Sequence, residues 1–212
     1  MKKLFLLLTA FGFLAAASVN ATEYGLDKAH SHIGFSVKHL LTMVPGEFKD
    51  FDGSFSFDEK KPGNGKVTVT IQAASIDTNN EMRNKHLKTP DFFDVEKYPT
   101  LTFVSKKVEA AGDKNYKVTG DLTIHGVTKP VVLDVEYMGT DSMMGMDTIG
   151  FSATTKIDRR DFGLSMGQDK LSTAGNMMVG NDVKITLDIA GMSKAGMEKM
   201  KKMMKDKPAD KK

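Results

Sequence analysis

Apolar and polar residues alternate one by one along most of this sequence. Ile33, Phe35 and Val37, for example, are separated by small or polar residues. Successive side chains of a β-strand point to opposite faces of its sheet, so this alternation predicts strands with one apolar and one polar face. Eight such runs occur, at 33–37, 55–57, 67–71, 101–103, 116–124, 131–137, 149–157 and 183–189.

Turn-forming sequences separate most of these runs. Glycine, proline and asparagine concentrate at 62–65, 112–115, 125–126 and 139–145. Closely spaced strands joined by short polar turns predict antiparallel pairing. Because each strand has one apolar and one polar face, the sequence is compatible with a closed barrel or with a sandwich of two sheets.

Two segments interrupt the alternation. Residues 79–88 contain good helix formers, and Asn79 or Asn80 is placed to cap the start of a helix. This segment leads into two adjacent phenylalanines at 92–93. The second interruption spans residues 158–180. Long irregular segments in a small β-domain often form lids or binding-site entrances.

The two ends of the chain differ from its centre. Residues 1–21 have a basic start, an apolar run and small residues before Thr22, which predicts an export signal cleaved after Ala21. The centre, 22–190, carries four more acidic than basic residues, whereas the tail, 191–212, carries five more lysines than acids. The net charge of +3 therefore comes from the ends, and we expect no nucleic-acid partner.

Residues that would support catalysis or tight metal binding are scarce. The chain has no cysteine, which excludes disulfides and thiol nucleophiles. No nucleophile motif or phosphate-binding glycine motif is present, so we expect no enzyme activity. His30 and His32 would share a face if both lay on one strand, but two histidines fall short of a metal site. We therefore favour the interpretation that these histidines form hydrogen bonds with backbone groups near strand ends.

Methionine is unusually common, with 15 in the chain. Its thioether is a soft ligand for Cu(I), and it is also an adaptable apolar filler. In the tail, Met197, Met200 and Met204 have helical spacing among lysines, which would suit an amphipathic helix lying on an anionic membrane. We favour a mostly disordered tail, because so short a helix is marginal in isolation.

At this level of detail the sequence resembles the YceI family of polyisoprenoid-binding, lipocalin-like proteins. The resemblance runs in order from Tyr24 to about Ile189. It rests on segments 27–32, 35–39, 51–53, 75–78, 83–87, 91–94, 98–99, 102–105, 120–129 and 160–163. Asn84 departs from the family, which commonly has Asp there, and the Met- and Lys-rich tail lies outside the family pattern.

This resemblance implies an all-β fold, an eight-stranded antiparallel lipocalin-like barrel with a short helix near one end. It further implies an elongated apolar interior that holds a long isoprenoid, such as a polyprenyl phosphate or a quinone, or a similar lipid. We therefore divide the chain into a signal peptide at 1–21, a lipid-binding barrel at 22–190 and a basic tail at 191–212. No cofactor is expected.

The apolar positions of the strands are the candidate tunnel wall. They are Ile33, Phe35, Val37, Phe55, Phe57, Val69, Ile71, Leu101, Phe103, Leu122, Leu133, Val135, Phe151, Ile185 and Leu187. Phe92, Phe93 and Phe162, in the irregular segments, are candidates to cap the tunnel. Arg83, His86 and Arg160 are candidates for contact with a polar headgroup, or equally for ion pairs with nearby acids.

The expected function is therefore a soluble, periplasmic carrier of a long-chain lipid. Two alternatives stay open: copper binding through the Met and His clusters, and a stress-related role without bound lipid. Fold alone does not decide among them. Peripheral membrane contact through the tail is an additional expectation, and a dimer is one assembly state compatible with the sequence.

Overall fold

A computed structural model describes residues 21–166, 171–175 and 177–205. The signal segment and the end of the tail lie outside these ranges, so the predictions made for them stay predictions. The described residues form strands and two short helices. In chain order these are β1 (Thr22–Leu26), β2 (His32–His39), β3 (Thr42–Phe48), β4 (Phe51–Phe57), β5 (Lys66–Gln72), β6 (Ile76–Asp77), α1 (Glu81–Leu87), β7 (Thr100–Ala110), β8 (Asn115–Ile124), β9 (Val127–Met143), β10 (Met146–Asp158), β11 (Val179–Ser193) and α2 (Lys194–Lys205).

The strands close into an antiparallel barrel. Around the ring the order is β1, β4, β5, β7, β8, β9, β10 and β11, and pairing of β1 with β11 completes it. The expected eight-stranded antiparallel barrel is thus confirmed. Short turns join β7 to β8, β8 to β9 and β9 to β10, whereas longer segments connect β5 to β7 and β10 to β11.

Three further strands, β2, β3 and β6, continue the sheet beyond the eight strands of the ring. The long strand β11 pairs with β1 near Ser193 and with β2 between Val179 and Asp188. Strand β3 pairs with β2, and the two-residue β6 pairs with the end of β3. All eight alternating runs of the sequence lie in strands. β1, β3 and β6 were missed because two of them are very short and β3 contains Pro45, a residue that ordinarily argues against a strand.

Helix α1 confirms the helix expected at 79–88. The Asn80 side chain caps it by accepting a hydrogen bond of 2.9 Å from the backbone N–H of Arg83. In the second irregular segment, Arg159–Phe162 form a short 3-10 helix, which ends at Gly163 in the left-handed region at a φ of 75°. This turn buries Arg159 and leaves Arg160 half exposed.

Residues 191–205 of the tail are ordered, contrary to the disorder expected for them. Strand β11 continues past residue 190 to Ser193, and α2 follows it directly. Met197 lies against Gly25 of β1, and Gly196 lies against Met146 of β10. Because the barrel covers one side of this helix, the instability of an isolated short helix does not apply. Neither helix of the described ranges is long and apolar enough to cross a membrane.

Candidate ligand-binding site

Aromatic rings fill the barrel interior at the α2 end. The ring of Phe57, on β4, lies with its centroid 5.2 Å from that of Tyr137 on β9. These two strands occupy opposite sides of the eight-membered ring. Phe57 also contacts Tyr116 and Phe151 edge to face, at 5.3 and 5.1 Å. Because these rings meet across the width of the barrel, they bound its cavity at this end.

A cavity of about 280 Å³ runs along the interior, from Phe57 and Tyr116 at this end to Val37 and Arg159 at the other. Every strand residue that the sequence predicted for the tunnel wall lines it, and so do Phe92 and Phe93 from the segment after α1. Phe93 packs edge to face on Phe48, with centroids 5.8 Å apart. Phe162 does not line the cavity: it is 2% exposed and packed into the core.

The structure adds apolar wall residues that the prediction missed. Several belong to the same faces of the predicted strands, so their alternation already carried the signal. Others come from elements that the sequence did not reveal as strands, or from the helix. The additional apolar residues include Leu26, Phe48, Val67, Leu87, Val108, Tyr116, Val118, Ile124, Val131, Ile157, Leu164, Val179, Val183 and Ile189.

The three residues proposed for a polar headgroup lie outside the cavity wall. Arg83 donates to the hydroxyl of Thr78 at 2.7 Å and to its carbonyl at 2.6 Å. His86 lies 3.1 Å from a carboxylate oxygen of Asp91. Arg160 forms an ion pair with Asp158, with its Nε 3.0 Å from both carboxylate oxygens. Their assignment to a headgroup stays a prediction; His86 and Arg160 have the nearby acids of the alternative interpretation, whereas Arg83 bonds to Thr78.

Arg159, one residue earlier, is a cationic side chain of the cavity that was not among the predicted site residues. It lines the cavity and is only 4% exposed. Its guanidinium donates to the carbonyls of Gly180 (2.9 Å), Met166 (3.1 Å) and Val179 (3.4 Å), and to that of Leu164. Burial lowers its pKa, which nearby Asp158 partly opposes. Arg159 therefore ties the irregular segment to β11 and places positive charge beside an apolar space.

The histidine pair does not form a metal site in this arrangement. His30 lies in the turn before β2, not on the strand, and its Nδ1 lies 2.7 Å from Asp27. His32 lies 3.2 Å from a different carboxylate, Glu47. The expectation of backbone partners is wrong for these two contacts, since both partners are carboxylates. Within the described ranges, no three His, Cys, Asp or Glu residues converge as metal ligands.

Comparison with known proteins agrees with this architecture. The model of the YceI-like domain matches residues 24–191. A UPF0312 protein of Photorhabdus laumondii is 45% identical over 184 residues, covering 84% of this chain and 95% of that protein. Burkholderia cenocepacia BcnA superposes with a TM-score of 0.70 at 30% identity, covering 78% of this chain and 98% of BcnA.

A more distant structure shares the fold. It is described as a polyisoprenoid binding domain from Saccharophagus degradans implicated in plant cell wall breakdown, and it superposes with a TM-score of 0.62. At 16% identity, over 80% of this chain and 98% of that one, this likeness concerns the fold alone. The family match and the 45% identical relative decide the assignment: the chain belongs to the YceI family.

Proposed function

We propose that this protein is a periplasmic, non-catalytic carrier of a long-chain isoprenoid or a similar amphiphilic lipid. The observation that carries the proposal is the elongated cavity, whose wall is almost wholly apolar. The fold is shared with a domain described as polyisoprenoid binding. An unbranched or isoprenoid chain suits such a space, because a slender apolar ligand can lie along the axis of an eight-stranded barrel.

The energetics favour binding without requiring polar contacts. Burying about 400 Å² of lipid surface would contribute about 10 kcal/mol at roughly 25 cal/mol per Å². Immobilising the flexible chain opposes a large part of this gain. What remains corresponds to an affinity in the micromolar range or tighter. The apolar wall therefore supplies affinity, while the polar end of the ligand would determine its orientation.

The direct test is to identify what the protein carries. The full chain is expressed with its signal, purified from the periplasmic fraction without detergent, and extracted for lipid mass spectrometry. We expect a mature chain that starts at Thr22 and a stoichiometric isoprenoid or quinone. Protein that carries no lipid, and whose tyrosine fluorescence is unchanged by titration with a quinone, would contradict the proposal.

Two neighbouring positions on β9 provide a matched pair of variants. Leu133 lines the cavity, whereas the next residue back, Val132, is 47% exposed. We expect Leu133→Trp to reduce lipid content sharply, because the larger ring occupies space that the ligand needs. Val132→Trp should retain the wild-type lipid content. Equal lipid content in both variants would exclude this cavity as the binding site.

A further inference from the structure

The turn between β2 and β3 has residues that are unusual for a two-residue hairpin turn. It consists of Leu40 and Leu41, and Leu40 adopts a φ of 51°. A positive φ in a two-residue hairpin turn favours glycine or asparagine, and a bulky residue there is strained. Leu41 is 79% exposed. A strained, half-buried Leu40 beside an exposed Leu41 is unfavourable for a protein that does nothing with this turn, so we infer a functional reason for the pair.

Other exposed apolar side chains belong to the segments around this turn. The backbone N–H of Leu40 donates to the carbonyl of Met178 at 3.1 Å, so the turn contacts the segment before β11. Leu171 and Met178 in that segment are 59% and 38% exposed, and Met43 of β3 is 54% exposed. We refer to Leu40, Leu41, Met43, Leu171 and Met178 as the apolar rim. Concentration of exposed apolar residues marks an interaction surface.

The apolar rim is continuous with the end of the cavity opposite the aromatic closure. Val37 of β2 and Val179 of β11 line the cavity, and each lies within a few residues of the rim. Arg159 donates to the carbonyl of Val179 at the same place. The aromatic rings around Phe57 and helix α2 lie at the opposite end of the 15-residue strand β11. A lipid would therefore enter beside the rim.

We propose that the apolar rim docks on a lipid bilayer, so that a lipid passes between membrane and cavity without crossing water. This inference rests on the proposed carrier function and names the surface through which the carrier exchanges its ligand. Leucine and methionine side chains can insert at the boundary between headgroups and acyl chains. Lys38, which packs beside Gly180 next to the turn, adds positive charge suited to phosphate headgroups.

A double substitution separates docking from folding. Leu40→Gly with Leu41→Ser supplies the residue types that the turn geometry favours, so the variant should be at least as thermally stable as the wild type. Two single variants control for the loss of an exposed apolar side chain at other places on the surface. Met138→Ser changes a 62% exposed residue on β9, and Met204→Ser changes a 70% exposed residue on α2.

Each protein is tested with phosphatidylglycerol–phosphatidylethanolamine vesicles that contain ubiquinone, by flotation and by the rate of ubiquinone transfer to acceptor vesicles. We expect the double variant to float less and to transfer about tenfold more slowly, because the exposed Leu41 no longer inserts and one inserted leucine strengthens membrane contact by about that factor. Binding of ubiquinone dispersed in detergent should be unchanged. Both methionine controls should behave as wild type.

The outcomes distinguish this inference from the proposed function. If no protein binds dispersed ubiquinone or carries lipid, the carrier function fails, whereas flotation still tests docking by the rim. Wild-type flotation and transfer by the double variant would overturn the docking proposal. So would a defect confined to Met204→Ser, which would assign membrane contact to α2. A dimer that dissociates only in the double variant, with transfer unchanged, would identify the rim as a contact between two copies.

Discussion

Arg159 and Arg160 show how strongly one position along the chain can change the role of a side chain. Arg160 is half exposed and pairs with Asp158, which raises the pKa of Arg160 and lowers that of the carboxyl group. Arg159 is buried and bonds only to backbone carbonyls among the partners described for it. Successive residues of a 3-10 helix point about 120° apart, so one arginine faces inwards and the other faces solvent.

Replacing these arginines should therefore have unequal effects. We expect Arg159→Met to lower the free energy of unfolding by about 3 kcal/mol, because it leaves buried carbonyls without donors. Arg160→Met should change stability little, since exposed ion pairs contribute weakly. Urea denaturation of both variants checks the difference. Equal stabilities would show that water or another donor replaces the buried guanidinium.

Among the elements, the two-residue strand β6 is held in place by polar contacts of its side chains, because it is too short to form many ladder hydrogen bonds. The carboxylate of Asp77 accepts hydrogen bonds from the backbone N–H of Asn79 and from the amide of Asn84, each at 2.9 Å, and from Lys49. These donors, led by Lys49, hold the pKa of Asp77 well below its usual range. The Asn84 side-chain oxygen accepts from Thr78, so both halves of this amide have partners.

This lowered pKa predicts a specific response to acid. Because the carboxylate is favoured in the folded state, its stabilising contribution is complete above the ordinary Asp pKa of about 4 and is lost as the pH falls below that value. Asp77→Asn should be less stable than wild type at pH 7, and it should lose less stability between pH 5 and pH 3. Urea midpoints across this range provide the measurement.

An exposed acid supplies the control for this experiment. Asp182→Asn removes the partner of Lys156, whose ammonium lies 3.0 Å from the Asp182 carboxylate on the barrel surface. This variant should follow the wild-type pH profile. If Asp77→Asn also follows it, the contacts of Asp77 do not contribute to acid sensitivity.

For the molecule as a whole, a barrel with an internal cavity has fewer packing contacts than a filled one. The aromatic cluster around Phe57 packs one end densely, whereas the side chains beyond it surround the cavity. A ligand that occupies the cavity would supply contacts that the chain does not make with itself. Stability and ligand binding are then coupled, because ligand that binds only the folded state stabilises it.

We expect quinone to raise the melting temperature in a concentration-dependent way. At 100 times the dissociation constant, the added stability is about 2.7 kcal/mol, which corresponds to roughly 5–10 °C for a domain of this size. Calorimetry on delipidated protein titrated with ubiquinone measures the shift. Leu133→Trp should reduce the shift and Val132→Trp should retain it. An unchanged melting temperature in the wild type would argue against a ligand in the barrel.

Local sequence determined much of this barrel. Alternation located all eight predicted strand runs and selected wall residues such as Leu133, because the two-residue period of a strand is independent of what it packs against. The interruption of the alternation and the helix formers at 79–88 predicted α1, with Asn79 or Asn80 as its cap, and the structure selects Asn80. The family resemblance decided between barrel and sandwich, which the alternation alone left open.

Other features depended on the tertiary structure. β6 is too short to leave a periodic signal, and β1 and β3 are recognisable only from their pairing with neighbouring strands. The inward direction of Arg159 and the order of residues 191–205 follow from contacts with distant segments, as when Met197 packs on Gly25. Alternation specifies which residues face inwards. Whether rings fill that interior or a cavity remains depends on how eight strands meet, which no single segment encodes.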